Sequence, residues 1–322
     1  MSDQPLYMPV LDDEQIAFIF QNNPHLDEIE VGKFDEQQCK QGAFHVYRRA
    51  EHGAPYLACR EHYLDDVLHG VAQGWYENGQ DEYISTHDNG NLIGLSQGWY
   101  ENGQQEYLIN YRDGQREGAM QSWHANGKQQ LNVTYRSGQL DGTLTGWYEN
   151  GKKSRHEFFV NGKQDGRAWS WYKNGQVASH VMMRQGQYDG MVEEWYENGI
   201  MKSRAYYEDN QVVGAQETWH KNGNRHTYEV YPAKDNRDSN AIVLGWNENA
   251  DLCSVLLKQR SQNIVDYTTA FKWIQKQDKL KDMLLANFRD AATLEQKQLA
   301  YVFSKDADAQ AQLGVLYRYP VL

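Results

Sequence analysis

The side chains that could do chemistry recur at fixed intervals along this chain. His87, His124, His156, His180, His220 and His226 are candidate bases or metal ligands. Glu77, Glu101, Glu149 and Glu197 stand at equivalent positions, and paired carboxylates are what general acid–base catalysis requires. Cys39, Cys59 and Cys253 are candidate nucleophiles. The spacings argue against each reading. The histidines occupy variable slots, with only His156 and His180 sharing one in neighbouring copies, as residues lining an edge or groove would. The glutamates are spaced as a solvated ladder. The three cysteines are odd in number and lack metal spacing, so neither a disulfide framework nor a zinc site is indicated. GxGxxG, P-loop, HExxH, GxSxG and CxxC arrangements are absent. The expectation is a protein that is not an enzyme, with no cofactor and no metal.

What remains is the chemistry of binding. Trp75, Trp99, Trp123, Trp147, Trp171, Trp195 and Trp219 follow one another at intervals of 24 residues. Trp and Tyr are enriched where partners dock, and a continuous aromatic strip marks an interaction surface. The same rings also cover a sheet surface and hold its twist. The candidate partner-binding residues are Trp99, Trp123, Trp147, Trp171 and Trp195, with Glu101, Glu149 and Glu197 beside them.

The elements that must position these residues follow from the same period. Asn-Gly closes three residues after every tryptophan, from Asn78-Gly79 to Asn222-Gly223. Asn-Gly is the preferred centre of a type I′ turn, in which both central residues take φ > 0. A second turn signal recurs at Gly90, Gly114, Gly138, Gly162 and Gly186, with Asn210 in the sixth copy. Each copy therefore reads as strand, tight turn, strand, turn, with no room for a helix. Seven copies give about 14 strands in an elongated single-layer antiparallel meander roughly 65 Å long. With a two-residue Asn-Gly turn, Trp99 and Glu101 share a face with Leu108 and Asn110, while Gly98, Tyr100, Tyr107, Ile109 and Tyr111 share the other, more apolar face. The Tyr107 ring then lies over Gly98. The tryptophan face is expected to be aromatic and mostly acidic.

Composition limits the partners. The formal net charge is −12, and residues 1–70 alone carry 13 acids against 5 bases. Such a balance disfavours nucleic acid and anionic membranes and favours a basic protein. The opening residues MSDQPLYMPVLDDEQ lack the basic and apolar regions of a signal peptide, and no apolar run is long enough to span a membrane. The expected location is the cytoplasm.

Around the repeats the expected organisation is an N-terminal cap over 1–46, a degenerate repeat over 47–70, seven repeats over 71–231, a linker and degenerate eighth repeat over 232–250, and a helical C-terminal cap over 251–322. Asp13 to Gln21 reads as a small helix whose Ile16, Phe18, Ile19 and Phe20 close one end. The eighth copy, Gly245-Trp246-Asn247-Glu248-Asn249-Ala250, lacks the turn glycine. Ile264, Tyr267, Phe271 and Ile274 stand at helical spacing.

The core Gly98-Trp99-Tyr100-Glu101-Asn102-Gly103, repeated at Gly146-Trp147-Tyr148-Glu149-Asn150-Gly151, resembles the MORN repeat in its bacterial variant form. The resemblance covers about 71–231, half the chain. It implies a single-layered sheet of hairpins with an aromatic-lined groove. Many bacterial members of this type are YwqK-type antitoxins or immunity proteins, whereas eukaryotic MORN proteins are linked to membrane tethering and scaffolding. The functional expectation is a repeat scaffold that binds and neutralises a basic toxin domain. The alternative is a structural adaptor organising an assembly or a homo-oligomer.

Overall fold

The computed structural model describes residues 11–51, 53–231, 241–250, 252–259 and 262–264. Two compact units divide the chain, Met1–Gln164 and Asp165–Leu322. Among its described residues the first contains one helix, Asp13–Asn22, and strands that run from Glu28–Phe34, Lys40–Arg48, Tyr56–Leu64 and Gly70–Trp75 into the repeats. There Asp81–Asp88, Asn91–Trp99, Gln105–Arg112, Gln115–Trp123, Gln129–Arg136, Gln139–Trp147 and Lys153–Val160 follow one another. Each pairs antiparallel with its chain neighbours, so the unit is a hairpin meander. The second unit repeats the pattern from Gly166–Trp171 through Val177–Arg184, Gln187–Trp195, Met201–Glu208, Gln211–Trp219 and Arg225–Tyr231.

The two turns of each copy exchange the roles expected of them. After Trp99, the Tyr100 amide donates to Gln104 O at 2.9 Å and the Gly103 amide donates to Tyr100 O at 2.8 Å. Gly103 has φ +79°, whereas Asn102 is not among the residues with positive φ. This is a type I turn followed by a left-handed glycine, a three-residue hairpin with a bulge, and not the type I′ turn expected from Asn-Gly. The type I′ geometry belongs to the other turn, where Asp113 and Gly114 have φ of 51° and 75° and Arg112 pairs directly with Gln115. Asn89-Gly90, Ser137-Gly138, Asn161-Gly162, Gln185-Gly186 and Asp209-Asn210 repeat it. The asparagine beside Gly103 is kept for its side chain. Asn102 Oδ1 accepts from the Gln104 amide at 3.0 Å, and its Nδ2 donates to Ala125 O, one copy on, at 2.8 Å.

The faces follow the expected alternation within the strands. Gly98 pairs with Tyr107, and a Cβ built on Gly98 would lie 2.3 Å from the Tyr107 ring, so the ring does cover the glycine. Ser96, Gly98 and Ile109 are buried on that face. Tyr100 and Glu101 leave the alternation because they belong to the turn.

At the start of the first unit, Asp12 caps the helix reciprocally with Gln15, through bonds of 2.8 and 3.0 Å. Ile16 and Phe20, four residues apart, are buried against Val31. Of the four residues expected to close this end, Phe18 instead points outward at 66% exposure, on the opposite side of the helix. The expected cap also contains a hairpin, Glu28–Phe34 with Lys40–Arg48.

In the second unit the eighth copy forms a complete hairpin, Ala241–Trp246 with Leu252–Gln259. Its turn keeps the bulge geometry, with Ala250 at φ 67° in the glycine position. The helical reading of 251–322 is therefore corrected at its start. Leu252–Gln259 and Gln262–Ile264 are strands, because the eighth copy keeps its second strand. The remainder of that helical reading, and the 232–240 linker, lie outside the described residues.

Candidate binding surfaces

The tryptophan turns form one edge in each unit, and hydrogen bonds between successive copies hold their backbone. In the first unit Asn78, Asn102 and Asn126 donate to the carbonyls of Glu101, Ala125 and Glu149 at 2.8, 2.8 and 2.9 Å. In the second, Asn174 and Asn198 donate to Glu197 and Lys221, each at 2.8 Å. The side chains of Glu101, Glu149 and Glu197 are exposed at the tips of these turns. Trp99, Trp123 and Trp147 in the first unit, and Trp171 and Trp195 in the second, are each half-buried. The structure therefore separates the expected pairs. The carboxylates lie on a turn edge, and the rings stand at the ends of strands.

The tryptophan face itself is not uniformly acidic. In the first unit its central row runs Arg60, Gln73, Ile84, Gln97, Leu108, Gln121, Asn132, Thr145, His156, a sequence without a carboxylate. In the second the row reads Trp169, His180, Glu193, Arg204, Glu217, Tyr228, each directly opposite the next. Trp169 stacks on His180 at 4.1 Å between centroids, and His180 Nδ1 lies 3.3 Å from Glu193 Oε2. Glu217, only 8% exposed, receives Arg204 Nε at 3.1 Å and Arg225 Nη2 at 2.8 Å. These charges neutralise one another, so this row holds the strands in register. His156, in the first unit, contacts Thr145 Oγ1 at 2.9 Å. Among the described residues, no three His, Cys, Asp or Glu side chains converge to hold a metal ion.

The opposite face of the first unit holds a cavity of about 350 Å³. Ala72, Ser85 and Ser96 lie within it, with Tyr83, Tyr107 and Tyr111 around them, and Glu61 and His87 also contribute. Tyr63 Oη donates to Glu61 Oε2 at 2.7 Å. Burial lowers the His87 imidazole below the ordinary histidine value, against an upward pull from Glu61, and its Nδ1 is buried without a hydrogen-bond partner. Burial raises the Tyr83 and Tyr107 phenols and pushes the neighbouring Cys59 thiol up to about 11.

Two segments, 140–161 and 188–209, match the family model described as MORN repeat variant. They lie 48 residues apart, two periods of 24, and each carries the strand, tryptophan turn and strand seen in the other copies. Over these two segments the chain is similar to the MORN repeat variant. Comparison with curated proteins finds no match. MORN repeats are generally scaffolds for interaction with proteins and membranes. Among the described residues no helix is long and apolar enough to cross a membrane.

The cavity was not anticipated from the sequence. A signal for it is present in the period. Glu61 stands in the slot that holds Ser85, Ile109, Val133, Glu157, Val181, Ala205 and Glu229 in other copies, and His87 in the slot of Tyr111, Tyr135 and Phe159. Read across copies, His87 is the departure, and Glu61 is one of three glutamates in its slot.

Proposed function

We propose that this protein is a non-enzymatic repeat scaffold that binds a basic protein, in the manner of an immunity protein or antitoxin occluding a toxin domain. The observation that supports this reading is the tryptophan edge. Exposed carboxylates of Glu101 and Glu149 in the first unit, and of Glu197 in the second, stand on turns whose carbonyls are pinned by the asparagine of the preceding copy. A surface already ordered before binding loses little freedom when a partner arrives. Its negative charge, within a chain of net charge −12, steers a basic partner toward it.

The test is to recover the tagged protein from the cells that make it and identify what accompanies it in stoichiometric amount. A single basic partner that arrests growth when produced alone, and is silenced by co-production of this protein, is the expected result. Self-association only, or a set of harmless assembly proteins, would replace this reading with that of a structural adaptor.

A further inference from the structure

The cavity of the first unit is built by departures from the repeat's own pattern. At the position of Ala72 and Ser96, the next two copies carry Met120 and Leu144, and the second unit carries Ala168, Val192 and Gln216. At the position of Ser85, the next two copies carry Ile109 and Val133, and the copies after them Glu157, Val181, Ala205 and Glu229. Ala72 pairs with Ser85, and Ser96 pairs with Ile109, so three small side chains lie close together where the next copies place Met120, Val133 and Leu144. A volume of about 350 Å³ opens above them. Beside the two following copies, whose Ile109, Met120, Val133 and Leu144 fill this level with large apolar side chains, the vacancy and its polar lining both work against stability. Besides the tyrosines, Glu61 and His87 are the titratable members of that lining, and His87 stands in a slot where other copies carry Tyr111, Tyr135 and Phe159.

The lining consists largely of hydrogen-bond acceptors and ring faces. Glu61 supplies a carboxylate, the Ser85 and Ser96 hydroxyls can accept, and the buried His87 Nδ1 lacks a partner. Its depressed titration keeps that imidazole neutral at pH 7, and a neutral imidazole protonated on Nε2 accepts at Nδ1. Tyr83, Tyr107 and Tyr111 supply electron-rich rings, and Leu68, Leu92 and Ile109 an apolar rim. A ligand that matches must be a cation, rich in donors, and flat enough to lie against rings. A guanidinium has five donors in one plane and stacks on aromatic faces, and an aliphatic stem suits the rim.

We propose that this cavity is a receptor for a guanidinium group, presented on an arginine side chain of a protein partner. This goes beyond the function proposed above, since it assigns a different surface and a specific ligand chemistry and does not depend on the partner being a toxin.

The probe is N-acetyl-arginine methylamide, titrated into the full-length protein by calorimetry, with the neutral citrulline analogue of the same length as control. Saturable binding of the arginine probe is expected, at least tenfold tighter than citrulline. Glu61→Gln should weaken it at least tenfold. Ser96→Leu, which installs the residue found at Leu144 in the same slot, should abolish it while leaving the unfolding transition cooperative. Ethylguanidinium separates the sources. Binding of the capped probe comparable to ethylguanidinium indicates a side chain on a polypeptide, and binding of ethylguanidinium alone would overturn that source in favour of a free small molecule. Equal binding of citrulline, indifference to both substitutions, or no saturation by about 10 mM of either guanidinium probe would overturn the receptor itself. Growth protection could fail while this titration succeeds, so the two readings are separable.

Discussion

The phenol of Tyr76 donates to the backbone carbonyl of Trp99, 23 residues further on, at 2.7 Å. Tyr100 does the same to Trp123 at 2.9 Å, and in the second unit Tyr172 and Tyr196 reach Trp195 and Trp219 at 2.7 and 2.8 Å. Where the residue after tryptophan is histidine the bond persists, from His124 Nε2 to Trp147 at 3.0 Å and from His220 Nε2 to Trp246 at 2.9 Å. A carbonyl can only accept, so both imidazoles carry their proton on Nε2 when neutral. The slot selects a ring with a donor at its far end. Tyr100→Phe should therefore lower stability by about 1 kcal/mol in urea unfolding, and Tyr100→His should recover most of it. A phenylalanine variant as stable as the parent would mean that water replaces the phenol at the Trp123 carbonyl.

Ala250 occupies, with φ 67°, the position that Gly103 takes with φ 79°. A left-handed conformation strains an L residue by about 1–2 kcal/mol, while glycine adds entropy to the unfolded chain. Ala250→Gly should raise the stability of the second unit by about 0.5–1 kcal/mol, read as a higher urea midpoint with unchanged slope. A loss of stability would show that the eighth copy gains more from the alanine's restriction of the unfolded chain than it loses to strain.

The fold was legible because the period of 24 residues repeats strand and turn signals seven times over, and the glycine beneath Tyr107 could be placed by alternation alone. The turn types were not. Asn102-Gly103 carries the dipeptide that favours a type I′ turn, but Asn102 is recruited by its side-chain bonds to Gln104 and Ala125, and only the glycine takes a positive φ. That one exchange moved Glu101 from the strand face to the turn tip. The cavity escaped notice for a related reason. Ser85 and Ser96 are unremarkable in any single strand, and their shared significance depends on which strands are neighbours.

Cys59 is half-buried, and burial, with Glu61 adding to it, raises its thiol to about 11 from an ordinary 9.0. Thiolate is the reactive form, so at pH 8 alkylation should run roughly 100-fold slower than at an unperturbed cysteine. The expected signature in iodoacetamide labelling followed by mass spectrometry is a rate that keeps rising past pH 9. A plateau near pH 9 would show that access alone, and not the buried charge, limits the reaction.

Burial holds the His45 and His87 imidazoles below the ordinary 6.5, with Arg60 and His62 pushing His45 further down. Below that value the unfolded chain takes up protons that the folded chain refuses. Stability is therefore complete above about pH 6.5 and falls as pH drops toward the folded-state values. His87→Tyr, the residue found at Tyr111 in the same slot, should make unfolding free energy less dependent on pH between about 7.5 and 5. An unchanged dependence would mean that His87 titrates alike in both states, and that its neutrality in the cavity is not enforced by burial.

The turn carboxylates give the kinetic test of the proposed docking edge. Glu101 and Glu149 of the first unit and Glu197 of the second are exposed, and their carbonyls are anchored by asparagines of the preceding copies, so lysine at these positions changes charge without removing those backbone bonds. Exposed charges act over roughly a Debye length and govern encounter more than residence. Replacing all three with lysine should slow association with the partner by roughly tenfold at low salt and flatten the dependence of that rate on ionic strength. Dissociation should change little, because the half-buried tryptophans and not the turn tips would hold the formed complex. Unchanged association would remove the electrostatic part of the proposal, and a change confined to dissociation would place these glutamates inside the contact.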